Sequence, residues 1–333
     1  MKKYKLLVFT DHSDHSAENT LYPLLLEMHR HKRCAAIDVA SRGMPANKLF
    51  FMNMAVKSPV AIRVNPSFAF DPGGAFFRRG SQRVSIRDYD GVLLRLPHPV
   101  APEFWAFLEK SFPNTLFINK PSGMLTAGNK SYLLNFPEFC PPMKLCRSLE
   151  ELEEFKSRFP IVLKPVTSYG GKGIVRIVGD EVQFSEGGKT SFANFAREFQ
   201  QHPENYLAVK YLEKVSIGDK RTVVCCGEVL GAAIRYPSSD SWVCNVAQGG
   251  RSASSQPDQD ELRIIETIDP YLRKMGVMVY GIDTLEGDDG KRVLSEINAL
   301  SIGGLHAMEN AQGVPAIKRA ADLLWEYIHS EHT

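Results

Sequence analysis

Two apolar strands, GVMVYGIDTLE and KRVLSEINAL, flank the pair Asp289-Gly290. An Asp-Gly pair between such runs is a strong signal for a two-residue hairpin turn. With that turn, Asp283 falls directly across from Glu296, and Asn298 lies two residues further along the same face. Opposed carboxylates repel each other, and a divalent cation between them removes the conflict. Oxygen ligands of this kind suit Mg²⁺, which takes few protein ligands and completes its shell with phosphate oxygens and water. The alternative is a strand with one wet face. The inference depends on register, since a slip of one residue would separate Asp283 from the other two.

The chain has 333 residues, too many for one simple core, so two or three lobes are expected. A net charge of +2 is too balanced to argue for nucleic acid as a partner. The six cysteines (34, 140, 146, 225, 226 and 244) contain no C-x-x-C pair. Cys225 and Cys226 read as adjacent strand residues facing opposite ways, and all six as free thiols of a reducing compartment. The apolar run near the start, in MKKYKLLVFTD, is about four residues, well short of the roughly 7 to 15 of a signal peptide. No segment approaches the ~18 apolar residues of a membrane span. A cytoplasmic protein without a membrane partner is expected.

KYKLLVFTD reads as a strand, SAENTLYPLLLEMHRHK as a helix capped by Ser16, and CAAIDVA as a second strand. This β-α-β opening implies an open, mostly parallel sheet. DGVLLRLP, EFWAFLEKSF and TLFINKP continue it as strand, helix and strand. Residues 43–89 give mixed signals and resist organisation. Residues 121–142 read as a linker followed by a helix near AGNKSYLLNF. From the capped helix SLEELEEFKSRF onward the pattern changes to strands and hairpins, mostly antiparallel, closing on the helix GVPAIKRAADLLWEYIHS. The expected architecture is an α/β front lobe (1–122), a small lobe with a glycine-rich loop (123–213) and an α+β C-terminal lobe carrying the metal hairpin (214–333).

In IVLKPVTSYGGKGIVRI, Lys164 ends an apolar strand, and burying a lysine there is costly unless it meets an anion. Gly170, Gly171 and Gly173 let backbone N–H groups approach an anion, and Lys172 adds charge. A plain glycine hairpin is the bland alternative. Further on, Lys220 and Arg221 precede one strand and Arg235 follows the next, in a hairpin around Gly227-Glu228. Arg221 and Arg235 then project toward one site, with Asn245 and Arg251 on a glycine-containing loop beyond. Taken singly, each arginine is more commonly a solvated surface group. Together the parts describe a nucleoside-triphosphate site.

They also carry a family resemblance. NKP (119–121), NK (129–130), VLKP (162–165) with GGKG, GDKR (218–221), IRYP before N…GGR, and GID…SEIN follow one another in the chain. From about Ile118 to Leu305 it resembles the ATP-grasp enzymes, most nearly the bacterial glutathione synthetases, and LLRLPHPVAPEF resembles their arginine-plus-proline segment. The resemblance implies that Lys130 and Lys164 contact ATP phosphates and that Gly170, Gly171, Lys172 and Gly173 close over them. It implies that Lys210, Tyr211 and Leu212 present backbone edges to adenine and that Asp219 meets the ribose. Asp283, Glu296 and Asn298 would hold two Mg²⁺ ions, with Mn²⁺ as a substitute. Arg221, Arg235 and Asn245 would lie beside the reacting phosphoryl and carboxyl groups, and Arg95 and Arg251 would help bind the acceptor substrates.

The implied activity is ATP-dependent, ADP-forming ligation of a carboxylate donor to an amine acceptor through an acyl phosphate. Positioning and charge neutralisation carry such a reaction, so no Ser-His or Cys-His arrangement is required. Glutathione synthesis from γ-glutamylcysteine and glycine is the first expectation. A related amino-acid or peptide ligase, or an ATP-binding protein without catalysis, are the others. Relatives often form dimers or tetramers, which leaves a homo-oligomer open. Two departures bear on substrate: Val243-Cys244 stands where the family carries Arg-Gly, and ALSIGGLHAMEN follows EIN in place of a Thr-Ser-Pro-like stretch. There, Gly303 and Gly304 read either as a nest for an acceptor carboxylate or as a tight turn before a helix.

Overall fold

The computed structural model describes residues 2–333 apart from 79, 169, 238–241, 243 and 245–250. Strands β1 (Tyr4–Thr10), β2 (Cys34–Ser41), β3 (Val60–Arg63), β4 (Gln82–Arg83), β5 (Gly91–Arg95) and β6 (Phe117–Ile118) form one sheet, in the order β4-β3-β2-β1-β5-β6. Its centre is parallel, and β3 and β4 add an antiparallel edge. A second sheet holds β7 (Met143–Cys146), β8 (Ile161–Pro165), β9 (Val175–Val178), β10 (Glu181–Phe184), β11 (Lys189–Ser191) and β12 (Tyr206–Lys210), in the order β11-β10-β9-β8-β12-β7. The third is β15-β14-β13-β16-β17, from β13 (Asp219–Cys225), β14 (Glu228–Tyr236), β15 (Arg251–Ser255), β16 (Val279–Glu286) and β17 (Arg292–Asn298). Every pairing in the second and third sheets is antiparallel. The open, mostly parallel front sheet with antiparallel sheets behind it is thus the fold that the sequence pattern implies.

The first and third sheets share apolar cores. One continuous buried cluster runs from Leu7, Phe9 and Trp105 to Ile264, Tyr280 and Leu294. Asn119 pins the join: its amide donates to the carbonyls of Val279 and Ala299, and its oxygen accepts from the N–H groups of Met278 and Val279. The closing helix, Ala316–Ser330, buries Trp325, whose indole donates to the carbonyl of Met28 in the first helix.

Several local expectations change. The first helix starts at Leu21, and Ser16 does not cap it; the Asn19 side chain accepts from the Leu21 N–H instead. Pro23 falls in the first turn, where its missing N–H costs nothing. The stretch 121–142 begins with its helix, Pro121–Gly128, and the following Lys130–Asn135 is a 3₁₀ turn. A helix over Gln259–Lys274 is absent from the elements read above, although the capping box Asp258/Glu261 that starts it is a sequence signal. The β13–β14 turn is Cys226-Gly227, one residue earlier than expected, because Cys225 pairs with Glu228. Cys225 and Cys226 therefore do not face opposite ways.

The metal hairpin keeps the expected pairing by an unexpected route. Gly287 donates to the carbonyl of Lys291, and Gly290, at φ +83°, donates back to Gly287. The loop is thus three residues, Asp288 to Gly290, with glycine in the left-handed region. That shifts β17 by one residue, pairing Glu286 with Arg292 and Thr284 with Leu294. A bulge at Ser295 then restores the count, so Asp283 pairs with Glu296 and Gly281 with Asn298.

Candidate active site

Between the second and third sheets lies a cavity of about 350 Å³, within the size range of small-ligand sites. Strand alternation sets its second-sheet wall: Ile161, Leu163 and Pro165 of β8 are buried on the core face, which turns Val162 and Lys164 toward the cavity. The Lys164 ammonium donates to the Ser295 hydroxyl (3.0 Å) and carbonyl (3.2 Å). The bulge brings both Ser295 and Glu296 to the cavity, an outcome that strict alternation does not give. Lys130, buried at the start of its 3₁₀ turn, donates to the Ser168 carbonyl and lies 3.7 Å from Glu296. Burial lowers its pKa and the Lys164 charge adds to this, while Glu296 opposes both.

Register sets the third-sheet wall. Arg221 stands across from Asp283 and Asp219 across from Arg235. Arg221 grips Asp283 through two bonds of 2.7 and 2.6 Å; Arg235 reaches Asp283 at 2.9 Å and holds Asp219 through bonds of 2.6 and 2.7 Å. Burial alone would raise the Asp283 pKa, but the two guanidiniums hold it well below the usual carboxylate range. Burial, with the Asp283 charge, pushes Asp219 up to about 6 against the pull of Arg235. The amide of Asn298 donates to Asp283 at 3.1 Å. Asp283, Glu296 and Asn298 therefore share one face.

Of the other expected residues, Gly170, Gly171, Lys210, Tyr211 and Leu212 line this cavity. Gly170, Gly171 and Gly173 all sit at φ near +70° (68°, 76° and 68°), which selects glycine there. The N–H of Tyr211 is already donated to Pro160 and that of Lys210 to Pro142, which leaves Leu212 as the amide donor of the three. Lys172 and Gly173 stand back from the cavity. Arg251 is exposed, its guanidinium 5.2 Å from the centre of the Tyr236 ring. Arg95 is buried elsewhere and donates to the Ile302 carbonyl at 2.8 Å, beside the exposed Gly303 and the half-buried Gly304. Gly304, at φ +103°, precedes the helix Leu305–Gln312. Asn245 lies outside the described residues. Ser295 and His98 also line the cavity without having been singled out by sequence. Burial, with the charges of Lys130 and Arg42, holds His98 down to about 4, so it is neutral at pH 7.

The donor set suits a hard divalent cation: two carboxylates and an amide, all oxygen ligands. Among the described residues no three His, Cys, Asp or Glu side chains gather as a metal cluster, so the amide is needed to complete the set. Among the described residues, Asp283 Oδ2 already accepts from Arg221, Arg235 and Asn298, whereas Oδ1 accepts from Arg221 alone. Asp283 Oδ1 and the Glu296 carboxylate, 30% exposed, are the oxygens with room for a ligand.

The family model for the prokaryotic glutathione synthetase ATP-grasp domain matches residues 129–313. This chain belongs to that family. It is therefore an ATP-dependent, ADP-forming carboxylate–amine ligase of a family that uses ATP and a divalent metal. The ligase is 31% identical to the glutathione synthetase of Rhodopseudomonas palustris over 266 residues, covering 78% of this chain and 80% of that one. It is 29% identical to that of Bradyrhizobium diazoefficiens over 258 residues, covering 76% and 78%. In fold it is similar to D-cycloserine synthetase, with a TM-score of 0.66 at 15% identity over 97% of this chain and 99% of that one. Among the ligase's described residues, no helix is long and apolar enough to cross a membrane.

Proposed function

We propose that this ligase joins γ-glutamylcysteine to glycine in the cytoplasm, giving glutathione, ADP and phosphate. The observation that carries the reading is the cavity in which four cations (Lys130, Lys164, Arg221 and Arg235) face Asp283, Glu296 and Asn298. A carboxylate is a poor acyl donor, and transfer of the ATP γ-phosphoryl group makes it an acyl phosphate that the amine then attacks. Lys130 and Lys164 hold the phosphates. Arg221 and Arg235, with Asn245, steady the charge that develops on the transferred group. Asp283, Glu296 and Asn298 hold two Mg²⁺ ions, replaceable by Mn²⁺, which neutralise phosphate oxygens. Gly170, Gly171, Lys172 and Gly173 close as a lid that keeps water from the acyl phosphate. Lys210, Tyr211 and Leu212 flank the adenine and Asp219 the ribose. Residues 1–122 then act as a substrate lobe, with 123–213 and 214–333 as the two jaws around ATP.

Arg95, with Gly303 and Gly304, and Arg251 bind substrate carboxylates. The stretch ALSIGGLHAMEN departs from the family pattern in this neighbourhood and favours a second reading, a ligase with another acceptor. Coupled ADP release separates the two. Release with γ-glutamylcysteine and glycine, with product of glutathione mass, supports the first. Release only with other donor–acceptor pairs supports the second, and no release with any pair sinks both.

A further inference from the structure

The β13–β14 turn carries a feature that ligation does not use. Cys226 and Gly227 are its two central residues, at φ +51° and +87°. Positive φ at both positions defines the turn type that favours Asn-Gly, and a cysteine at its first position is strained. The strained backbone sets the two thiols side by side: Cys225 donates to the Cys226 sulfur at 3.9 Å. The Cys226 N–H is anchored to the Met278 carbonyl at 2.7 Å, and its sulfur lies 3.9 Å from the Leu323 carbonyl. Cys225 is buried and Cys226 half-buried.

Within the pair Cys226 differs electrostatically from the other cysteines, whereas the bond that Cys225 donates to Cys226, together with burial, holds the Cys225 thiol well above its ordinary value. Burial pushes Cys34, Cys146 and Cys244 up to about 11 and Cys140 to about 12. Cys226 moves the other way, because the bond from Cys225 and the nearby Arg273 charge favour its thiolate against the effects of burial, Asp269 and Glu326. A disulfide between neighbours is disfavoured, since adjacent α-carbons are ~3.8 Å apart and disulfides want about 4.4 to 6.8 Å. A soft metal ion needs no such closure. Two sulfurs 3.9 Å apart, each ~2.3 Å from a shared ion, subtend roughly 116° there, between the tetrahedral and trigonal values.

We propose that Cys225 and Cys226 are a chelating dithiol site for a soft divalent cation of the zinc and cadmium class. Binding forms two metal–sulfur bonds, releases the two thiol protons and involves no electron transfer. The two sulfurs leave the remaining coordination positions to water. The site lies at the far end of β13 from Asp219 and Arg221, and its donors are sulfur where those of the cavity are oxygen.

Titration of the full chain with cadmium chloride in excess Mg²⁺ tests this, read as the ultraviolet thiolate-to-cadmium charge-transfer band and as proton release. The proposal expects one cadmium ion per chain. Losing one arm of the chelate should weaken binding at least about 100-fold in both Cys225→Ser and Cys226→Asn. Cys226→Asn keeps the turn, because Asn-Gly suits it, and should melt at or above the parent temperature. No band in the parent chain overturns the proposal, as does a band that survives in either variant. Ligase activity is not the readout, so the test is independent of the substrate assignment.

Discussion

Two buried arginine regions of this ligase are built on opposite principles. Around Asp283, two guanidiniums and two carboxylates form a closed network: Arg221 and Arg235 on Asp283, and Arg235 on Asp219. At the end of β5, Arg95 is just as secluded, yet among the described residues no carboxylate pairs with it. Among these residues its guanidinium meets one partner, the Ile302 carbonyl, its Nε has none, and burial alone pulls its pKa down to about 10. A buried charge without a counter-ion is costly. The first region pairs its buried charges with one another, whereas the second has the character of a group awaiting an anion.

The largest expected effect breaks the closed network. Asp283→Asn strands the Arg221 guanidinium, leaves Arg235 with Asp219, and should cost about 3–5 kcal/mol of stability. The same change should lower kcat at least ~10²-fold; thermal melting and steady-state rates check both. Glu296→Gln, at the exposed rim of the network, should abolish turnover at an almost unchanged melting temperature. A kcat near the parent value would remove Glu296 from metal binding.

Next comes Lys164→Ala: if the proposed phosphate contact is made, its loss, worth about 1.5–3 kcal/mol, should weaken nucleotide affinity about 10- to 100-fold in a binding titration. Unchanged affinity would end its phosphate role. Arg95→Met tests the open region: it should leave melting unchanged or raised, while KM for a carboxylate-bearing substrate rises at least about 10-fold. If it destabilises as Asp283→Asn does, the two regions are alike and the contrast fails.

The smallest effect is a pH dependence. His15, near Arg95, and His98, beside the cavity, are both held at about 4 against an ordinary 6.5, first by burial and then by neighbouring positive charge. A histidine with a depressed folded pKa contributes stability that is present above pH 6.5 and lost as pH falls from there through about 4. Melting temperature should fall over that interval, and less so in His15→Gln and His98→Gln. Arg95→Met should also soften the fall, since it removes one of the charges that depress His15.

The same contrast separates what local sequence conveys. Alternation placed Lys164, Arg221 and Asp283 on strand faces, and the order of the glycine, lysine and arginine segments carried the family, because side-chain period and chain order are local properties. The Asp283–Glu296 pairing was anticipated on the premise of a two-residue turn. The actual loop has three residues, and the Ser295 bulge compensates. Glycine at the third loop position is a signal for that loop, but the bulge has no signature in the residues themselves.

The sequence alone determined the sheet types, the hairpin that faces Asp283 with Glu296, and the set of charged groups that a phosphate site requires. Tertiary structure decided which groups meet. It turned Arg95 toward Ile302 and away from the cavity, drew Lys164 to Ser295, and set Cys226 beside Cys225. The reason is physical: periodicity fixes the face on which a side chain lies, but its partner is set by loops and bulges whose geometry answers to packing across the whole fold.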